Sequence, residues 1–310
     1  KKIPSGIRSF IKHKNDKKTK YEEKNCDFFI LGGGGLFGSL TFRANFIWAI
    51  QAFMAYRYEK PVLMYGQSIG IIKGFIRKFI IKKLFQKAEL IAVRDEDSKK
   101  RLFKMGIKKE IHVIPDPAFR KTINIKDQSR NKEIVISLRQ IDKIDKKFKR
   151  EIINFLNKIV LDENYILKFI DFQKGLDGDH VLHEEIIKKL NNKEKIQYIN
   201  QKNIEETFAK AEMVIGMRLH SIITAVKTIT PFIAIDYAPK VEAFLKYTGF
   251  YEYSLKMEET GAKNMEKLFL KIKKEKKTIK NKIQAFNNKA LKKHKQMEQT
   301  ILSNIFSASS

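Results

Sequence analysis

The sequence predicts an α/β fold built from two doubly wound domains, each a parallel sheet covered by helices on both faces. Short apolar runs of strand length alternate with helical patterns along most of the 310 residues. Several of these runs end directly at glycines or polar residues, which is typical of buried parallel strands. A polar stretch from Lys121 to Lys132 separates two such series, and we interpret it as an interdomain linker.

The first domain is predicted at residues 1–122. After a polar and basic opening segment, we expect strands in four apolar runs, Asp27–Leu31, Pro61–Tyr65, Leu90–Val93 and Ile111–Ile114. Helical patterns separate these runs. One helix is predicted from Asp95 to Met105, because Asp95 is a favourable N-cap and acidic residues follow it in the first turn.

The second domain is predicted at residues 123–250 and repeats the alternation. Its expected strands are Ile134–Leu138, Tyr165–Ile170, Ile196–Tyr198, Met213–Ile215 and Phe232–Ile235. Both domains are therefore expected to be Rossmann-like. Ligands of such folds bind beyond the carboxyl ends of the strands, so residues that directly follow a strand are the first candidates for a site.

Residues 251–310 are predicted to form basic C-terminal helices, including one long helix. Apolar residues recur at three- and four-residue spacing from Met265 to Ala290, with lysines on the other faces. We expect these helices to pack back on the domains; the alternative is a basic face that contacts anionic lipid. The segment from Ile71 to Lys87 is similar, and we expect it to cover the first sheet, with the same alternative.

The composition favours a negatively charged partner. Lysine and arginine number 63 against 35 acidic residues, a formal charge of +28. Nucleic acid, an anionic lipid surface or a phosphorylated small molecule would fit this charge, and so would the codon bias of an AT-rich genome. Basic residues interleaved with aromatic residues on strands are missing, so we expect no nucleic-acid partner.

The single cysteine, Cys26, excludes an internal disulfide and a cysteine-based zinc cluster. No signal peptide is recognised, and no apolar run has the length of a membrane-spanning helix. We therefore expect a cytoplasmic protein, with the inner face of the membrane as a further possible location. No cluster of histidine, aspartate and cysteine indicates a metal, so none is expected.

Two glycine-containing segments follow predicted strands. Gly33, Gly34 and Gly35 begin a formal G-x-G-x-x-G pattern, but the next strand lacks the acidic residue that a dinucleotide site requires at its end. We instead predict a tight strand-to-helix turn that gives a substrate access to the backbone. Gln67 and Ser68 form a second such turn and would donate hydrogen bonds to sugar hydroxyls or phosphate; a helix cap by Ser68 is the alternative.

Cationic residues follow three other predicted strands. Arg94 stands directly after a strand and is suited to bind a carboxylate or phosphate, although an ordinary surface arginine is the alternative. Arg218 and His220 are two residues apart, so in an extended segment both would point the same way. An arginine beside a histidine, which titrates near neutrality, suits an anion that needs proton transfer; a structural histidine is the alternative. Lys240 follows the last predicted strand and would neutralise a leaving phosphate; an ordinary surface lysine is the alternative.

These segments, taken in order, resemble the polysaccharide pyruvyl transferase family from about Asp27 to Leu245. The matching segments are Gly32-Gly33-Gly34-Gly35-Leu36-Phe37, Gly66-Gln67-Ser68-Ile69-Gly70, Val93-Arg94-Asp95-Glu96-Asp97-Ser98, Asp116-Pro117-Ala118-Phe119, Ile136-Ser137-Leu138-Arg139, Gly216-Met217-Arg218-Leu219-His220-Ser221 and Tyr237-Ala238-Pro239-Lys240. The resemblance implies a glycosyltransferase-B-like fold. Family members usually carry an earlier strand and turn before the glycines, so we expect a truncated first domain.

The resemblance also implies a reaction. A pyruvyl group moves from phosphoenolpyruvate to two hydroxyls of one sugar and forms a cyclic ketal, with no further cofactor. The acceptor would be a cell-surface polysaccharide or its lipid-linked precursor. The resemblance places Arg218, Leu219 and His220 against the donor, adds Arg94, and ties Lys240 to activity. Arg218 and His220 are the predicted catalytic pair, and we assign His220 as the acid.

Two other functions compete with this one. A nucleotide-sugar-dependent glycosyltransferase of the same fold would bind a nucleotide diphosphate in the second domain and be stabilised by it. A nucleic-acid binder is suggested by charge alone and would show steeply salt-dependent DNA binding. The acceptor sugar, the hydroxyl pair and the oligomeric state do not follow from the sequence.

Overall fold

The computed structural model describes residues 17–38, 42–121, 130–173, 175, 178–199 and 203–307. The chain divides into two compact units, one formed by residues 1–120 with 290–310 and the other by residues 121–289. Most of the predicted linker and the first sixteen residues lie outside the described residues. The boundaries predicted at residues 122 and 250 stay predictions.

The first unit contains a parallel four-stranded sheet in the order β1-β2-β3-β4. Its strands are β1 (Phe29–Phe37), β2 (Val62–Ile69), β3 (Leu90–Val93) and β4 (His112–Val113). Its helices are α1 (Lys17–Asn25), α2 (Phe42–Arg57), α3 (Phe75–Lys87) and α4 (Glu96–Lys104), followed after β4 by the short turn Pro117–Arg120. Aliphatic and aromatic residues from the strands and from α2 to α4 form its main core.

The second unit contains a parallel six-stranded sheet in the order β10-β9-β8-β5-β6-β7. Its strands are β5 (Asn131–Ser137), β6 (Ile166–Phe169), β7 (Ile196–Tyr198), β8 (Ala211–Gly216), β9 (Phe232–Asp236) and β10 (Ser254–Lys256). The central strands β8 and β9 are almost completely buried, and β5 is buried from Glu133 onward. Strands buried on both faces are expected where helices cover a parallel sheet.

The helices of the second unit are α5 (Lys146–Glu163), α6 (Asp179–Lys189), α7 (Ile204–Lys210), α8 (Leu219–Lys227), α9 (Pro239–Thr248) and α10 (Ala262–Lys274). Short 3₁₀ turns occur at Lys193–Lys195, Tyr251–Tyr253 and Met257–Glu259. The fold class predicted from the alternating pattern is therefore confirmed, because both sheets are parallel and helices separate their strands. Each predicted strand has a counterpart, and β10 is an addition.

The long C-terminal helix α11 (Lys276–Ser307) was predicted from its apolar spacing and is present. Its apolar residues Ile279 and Ile283 are buried in the second unit. Farther along, Met297 and Ile301 pack in the first unit against side chains of β2 and β3. Among the described residues, no helix combines the length and the hydropathy that crossing a lipid bilayer requires.

The glycine-containing segments are placed differently from the prediction. Gly33 and Gly34 do not form a turn after the strand; β1 continues through them to Phe37 with φ of 73° at both glycines. Gln67 and Ser68 likewise lie inside β2, not in a turn. Both strands carry a register irregularity at these positions. The turn prediction was wrong because glycine permits positive φ inside an irregular strand as well as in a turn.

Candidate functional site

Arg218 stands where β8 ends and α8 begins, as the N-cap residue of the helix. Its carbonyl oxygen accepts hydrogen bonds from the backbone of Ser221 at 3.0 Å and Ile222 at 3.2 Å. The Ser221 hydroxyl also donates to this carbonyl, at 2.6 Å. A Cβ atom at Gly216 would lie 2.7 Å from that hydroxyl, so a side chain at this position would displace the Ser221 hydroxyl. The backbone that presents Arg218 is thus tightly defined.

The guanidinium of Arg218 is held by two side chains, one from the segment between β6 and α6 and one from the start of α6. Its Nε lies 2.9 and 3.1 Å from the two carboxylate oxygens of Asp179, and Nη2 also contacts Asp179. Nη2 donates in addition to Gln173 Oε1 at 2.8 Å. Among the described residues, Nη1 has no such partner, so it is the nitrogen available to a ligand.

Asp179 is completely buried and is the first residue of α6. Besides Arg218, its carboxylate accepts the backbone amides of Phe172 at 2.9 Å and Gln173 at 3.0 Å. A buried carboxylate is tolerated when charge-assisted hydrogen bonds surround it. Asp179 therefore orients Arg218. Residue type alone gave no hint of this role, because Asp179 stands 39 positions before its partner.

His220 is exposed near the N-terminus of α8. The helix begins at Leu219, and Arg218 directly before it has an extended backbone with φ of -71° and ψ of 132°. The expectation that the side chains of Arg218 and His220 point the same way stays a prediction. Leu219 is buried, and its predicted contact with the donor stays a prediction.

Arg139, which received no role from the sequence, lies at the same edge of the sheet. It follows β5, whose last residue Ser137 pairs with Gly216 of β8. Its Nη1 donates to the hydroxyl of Tyr237 at 2.5 Å, and its guanidinium carbon lies 5.4 Å from the centre of that ring. Tyr237 directly follows β9. In the sequence, Arg139 stood out only as the last residue of Ile136-Ser137-Leu138-Arg139, one of the segments that carry the family resemblance.

Three buried polar atoms at the end of β5 lack a hydrogen-bond partner among the described residues. They are the Ser137 hydroxyl, Arg139 Nε and Gln140 Oε1. A buried polar atom without a partner is costly and uncommon in folded proteins. Such atoms beside Arg218 and Tyr237 are consistent with a place where a polar ligand binds.

The backbone before Arg139 is supported by a buried histidine. His183 Nε2 accepts the backbone amide of Leu138 at 2.9 Å, and Nδ1 donates to Asp171 at 2.8 Å. Burial opposes the ionisation of Asp171, but hydrogen bonds from His183 and Tyr198 outweigh it and lower the pKa of this carboxyl below 3.8. His183 is thus a structural residue.

Lys240 and Asp236 lie near the end of β9. Lys240 is exposed in the first turn of α9. Asp236 is nearly buried at the end of the strand, and burial together with nearby Glu242 raises the pKa of its carboxyl. The second unit thus places Arg218, Arg139, Tyr237 and Lys240 after three neighbouring strands.

Arg94 forms a separate cluster in the first unit, after β3. Its Nη1 donates to Asp116 at 2.7 Å, and its Nε donates to the hydroxyl of Ser68. That hydroxyl in turn donates to Asp95 at 2.7 Å. Asp95 also accepts the amide of Ser98 at 2.7 Å as the N-cap of α4, which confirms its predicted role. Ser68 is therefore bonded to its neighbours and does not cap a helix itself.

Gln67 is completely buried, and its amide donates to the carbonyl of Leu31 at 2.6 Å. This side chain joins β2 to β1. Gly33, Gly34 and Gly35 have no atom within 4 Å of the position that a Cβ would take, so they leave open space beside β1. Their predicted part in acceptor binding stays a prediction, and Gln67 is better suited to a structural role.

Asp116, the partner of Arg94, is supported by the C-terminal helix. His294 of α11 is completely buried, and its Nε2 donates to the Asp116 carbonyl at 3.2 Å. Its Nδ1 accepts the hydroxyl of Tyr65 at 2.8 Å. Burial lowers the pKa of His294 and raises that of Tyr65 to about 12. Both groups are therefore neutral near pH 7.

Among the described residues, no group of three histidine, cysteine, aspartate or glutamate side chains is placed to hold a metal ion. Two of the acidic side chains in the arginine clusters, Asp179 and Asp116, are already engaged by guanidinium groups. The expectation that the protein uses no metal or organic cofactor stays a prediction.

Comparison with solved structures identifies the class of fold. The UDP-GlcNAc 2-epimerase of Neisseria meningitidis matches with a TM-score of 0.61 at 11% identity, over 98% of this chain and 81% of that chain. The UDP-GlcNAc 2-epimerase of Methanocaldococcus jannaschii matches with a TM-score of 0.57 at 14% identity, over 85% and 74%. Identities this low show the fold alone. The protein is thus an α/β protein of the predicted glycosyltransferase-B-like class.

Comparison of sequences identifies the family. Residues 2–239 match the family model of polysaccharide pyruvyl transferases, and the chain belongs to this family. The amylovoran biosynthesis protein AmsJ of Erwinia amylovora is 25% identical over 257 residues, which are 74% of this chain and 61% of that protein. The chain thus spans about three fifths of the length of this curated relative. The resemblance inferred from the motifs is confirmed.

Proposed function

We propose that the protein transfers a pyruvyl group from phosphoenolpyruvate to two hydroxyls of one sugar and so forms a cyclic ketal. The acceptor would be a cell-surface polysaccharide or its lipid-linked precursor. Family membership supports pyruvyl transfer in general. The observation that carries the proposal is the setting of Arg218, which Asp179 and Gln173 hold with Nη1 left for a ligand.

Arg218 would bind an anionic group of the donor. Phosphoenolpyruvate carries a carboxylate and a phosphate close together, and a guanidinium binds either group well. Because Asp179 fixes the orientation of Arg218 beforehand, little side-chain entropy is lost when the donor binds. Lys240 would neutralise charge on the leaving phosphate. Arg94 is retained as a donor-binding residue on the family resemblance alone.

His220 would protonate the methylene carbon of the donor. The neighbouring carbon then becomes electron-deficient, and a sugar hydroxyl attacks it. The bond to phosphate breaks as the second hydroxyl closes the ring. Of the two hydroxyl protons, one restores His220 and the other leaves with phosphate, so the reaction is balanced. Exposure of His220 at the start of α8 supports this role, because an acid must reach its substrate.

The test separates donor binding from proton transfer with two variants. Arg218→Gln should weaken donor binding about 10- to 100-fold, since a hydrogen bond to a charged group is lost. His220→Gln should lower turnover about 10²- to 10⁴-fold with little change in donor binding. Binding is measured as the rise in unfolding temperature caused by phosphoenolpyruvate. Turnover is measured as phosphate release with a panel of glycans, and the ketal is identified by mass spectrometry.

Two variants serve as matched controls. Arg150→Gln removes an exposed arginine of the same unit, and His112→Gln removes a histidine outside the site; both should behave as wild type.

In D₂O the methyl group of the ketal should gain one deuterium. Near-normal turnover of His220→Gln would reject its acid role. Stabilisation by nucleotide diphosphates, with none by phosphoenolpyruvate, would favour the glycosyltransferase alternative.

A further inference from the structure

Helix α3 of the first unit begins with a cluster of large apolar side chains on its outer face. Ile71, Phe75, Ile76 and Phe79 are 67%, 83%, 66% and 52% exposed, and we call these four residues the Phe75 face. The rings of Phe75 and Phe79 stack with their centres 6.4 Å apart. The segment was expected to cover the first sheet, and these four residues take no part in that packing. A contiguous exposed apolar group commonly marks an interaction surface.

The exposure does not come from a loosely attached helix. The opposite side of α3 is buried through Ile81, Leu84 and Phe85. Tyr56 of α2 donates a hydrogen bond to the carbonyl of Leu84 at 2.8 Å. The helix is thus anchored along its inner side, and the Phe75 face is a stable feature of the surface.

The charged residues of the segment that carries the Phe75 face all have the same sign. The segment 71–87 contains six lysine and arginine residues and no aspartate or glutamate: Lys73, Arg77, Lys78, Lys82, Lys83 and Lys87. Lys78 and Lys83 are exposed, and the ammonium group of Lys83 lies 5.7 Å from the centre of the Phe79 ring. Apolar and basic groups therefore occupy the same outer side of the helix.

A groove of about 530 Å³ continues this surface toward α4. Phe75, Phe79 and Met105 contribute apolar walls, and Lys82, Arg101 and Lys104 line it with positive charge. The groove therefore combines apolar side chains with cationic groups that can bind phosphate, as the outer side of the helix does.

We propose that the Phe75 face docks on an anionic lipid bilayer. The phenylalanine and isoleucine side chains enter the boundary between headgroups and acyl chains, while the lysines contact lipid phosphates. A nucleic acid would match the charge but leave the four apolar side chains in water. A helix with an apolar cluster, basic flanks and no acidic residues is instead the pattern of an interfacial membrane anchor. This inference does not depend on the proposed reaction.

The experiment measures binding of the full-length chain to vesicles by flotation. Phosphatidylcholine vesicles with phosphatidylglycerol should bind the protein, vesicles of phosphatidylcholine alone should bind it much less, and added salt should reduce binding. The double variant Phe75→Ser/Phe79→Ser should bind at least roughly tenfold more weakly. Lys78→Gln/Lys83→Gln should lose roughly 10- to 30-fold, because each lysine near an anionic surface contributes to affinity.

Two control variants are matched in chemistry and lie in the second unit. Leu161→Ser/Leu270→Ser removes exposed apolar side chains, and Lys146→Gln/Lys147→Gln removes exposed lysines; both should bind vesicles as wild type does. All variants concern surface residues, so circular dichroism and the unfolding temperature should be unchanged. The proposal is overturned if the Phe75/Phe79 variant binds anionic vesicles normally. It is also overturned if wild type binds no vesicles and this variant instead abolishes self-association.

Discussion

Arg218 is oriented by its neighbours before any ligand arrives. Its partner Asp179 is completely buried, while the Arg218 side chain is 11% exposed. A pair of this kind contributes little net stability compared with apolar residues, but removal of one partner leaves a buried charge without compensation. The structure thus predicts that Arg218 and Asp179 depend on each other energetically, whatever the substrate is.

This dependence can be measured with a double-mutant cycle. Asp179→Asn and Arg218→Gln should each lower the free energy of unfolding by about 3 kcal/mol, because each leaves the other charge unpaired. The double variant should be no less stable than the worse single variant, which gives a large interaction energy. Urea unfolding of the four proteins provides the numbers. Strictly additive losses would show that the pair does not form in solution.

Arg94 in the first unit is likewise held in place by neighbouring side chains. Its salt bridge with Asp116 and its bond to Ser68 fix the guanidinium at the end of β3. Both arginines were found in the sequence because they follow strands, yet their acidic partners were not. A carboxylate 22 or 39 positions away becomes a neighbour only when the sheet is assembled.

Helix ends are the elements whose chemistry is most directly visible in the sequence. Asp95 and Asp145 both accept a backbone amide three residues later and so cap α4 and α5. At the other end of α5, Asn164 adopts a left-handed conformation that closes the helix. These features are local in sequence and depend little on the rest of the fold.

The N-cap of α5 leads to a prediction about the contribution of one helix end to the stability of the protein. Asp145→Ala removes the hydrogen bond to the amide of Phe148, 2.7 Å in length, and should cost about 1 kcal/mol of stability. For a unit of this size the unfolding temperature should fall by roughly 2 to 4 °C. Differential scanning calorimetry measures the shift.

The matched control for this variant is Asp162→Ala on the same helix. Asp162 is exposed near the C-terminus of α5, where a negative charge opposes the helix dipole. Its removal changes the net charge equally and should not lower the unfolding temperature. Equal losses in the two variants would assign the effect to charge and not to the cap.

Across the whole molecule, the C-terminal helix contributes to both units. Its last part supplies Met297 and Ile301 to the first unit, where they pack beside Leu63 and Tyr65. Glu298 forms a salt bridge with Arg120 at 2.7 Å. His294 joins Tyr65 to Asp116 in the same region. The first unit is therefore completed by residues at the far end of the chain.

This arrangement predicts how stability depends on pH. Burial lowers the pKa of His294 below its usual 6.5, whereas the unfolded chain takes up the proton near that value. Stability contributed by the neutral histidine is thus present above pH 6.5 and is lost as the pH falls below it. Nearby Asp116, Glu298 and Arg120 also act on this group, and the effect of burial is the largest.

The measurement compares unfolding midpoints of wild type and His294→Gln between about pH 7.5 and pH 5.5. Glutamine keeps a donor and an acceptor but does not titrate, so the variant should lose less stability on acidification than wild type. His112→Gln, which removes a half-exposed histidine of the same unit, should keep the wild-type dependence. Parallel curves for wild type and His294→Gln would contradict the prediction.

The apolar spacing of α3 shows where prediction from sequence stops. Periodicity correctly indicates a helix in this segment, and it detects apolar residues such as Phe75, Phe79 and Leu84. It does not say which apolar side chains another element covers. The glycines of β1 show the same limit, because residue type permits both a turn and an irregular strand.

By itself the sequence determined the alternation of strands and helices, the parallel sheets, the family, and the arginines that follow strands. These depend on patterns within a few residues or on ordered motifs, which are readable along the chain. Only the tertiary structure decided that Asp179 and Asp116 hold those arginines, that His294 completes the first unit, and that the Phe75 face remains uncovered. Each of these depends on contacts between residues far apart in sequence, which exist only once the strands are ordered and the helices packed.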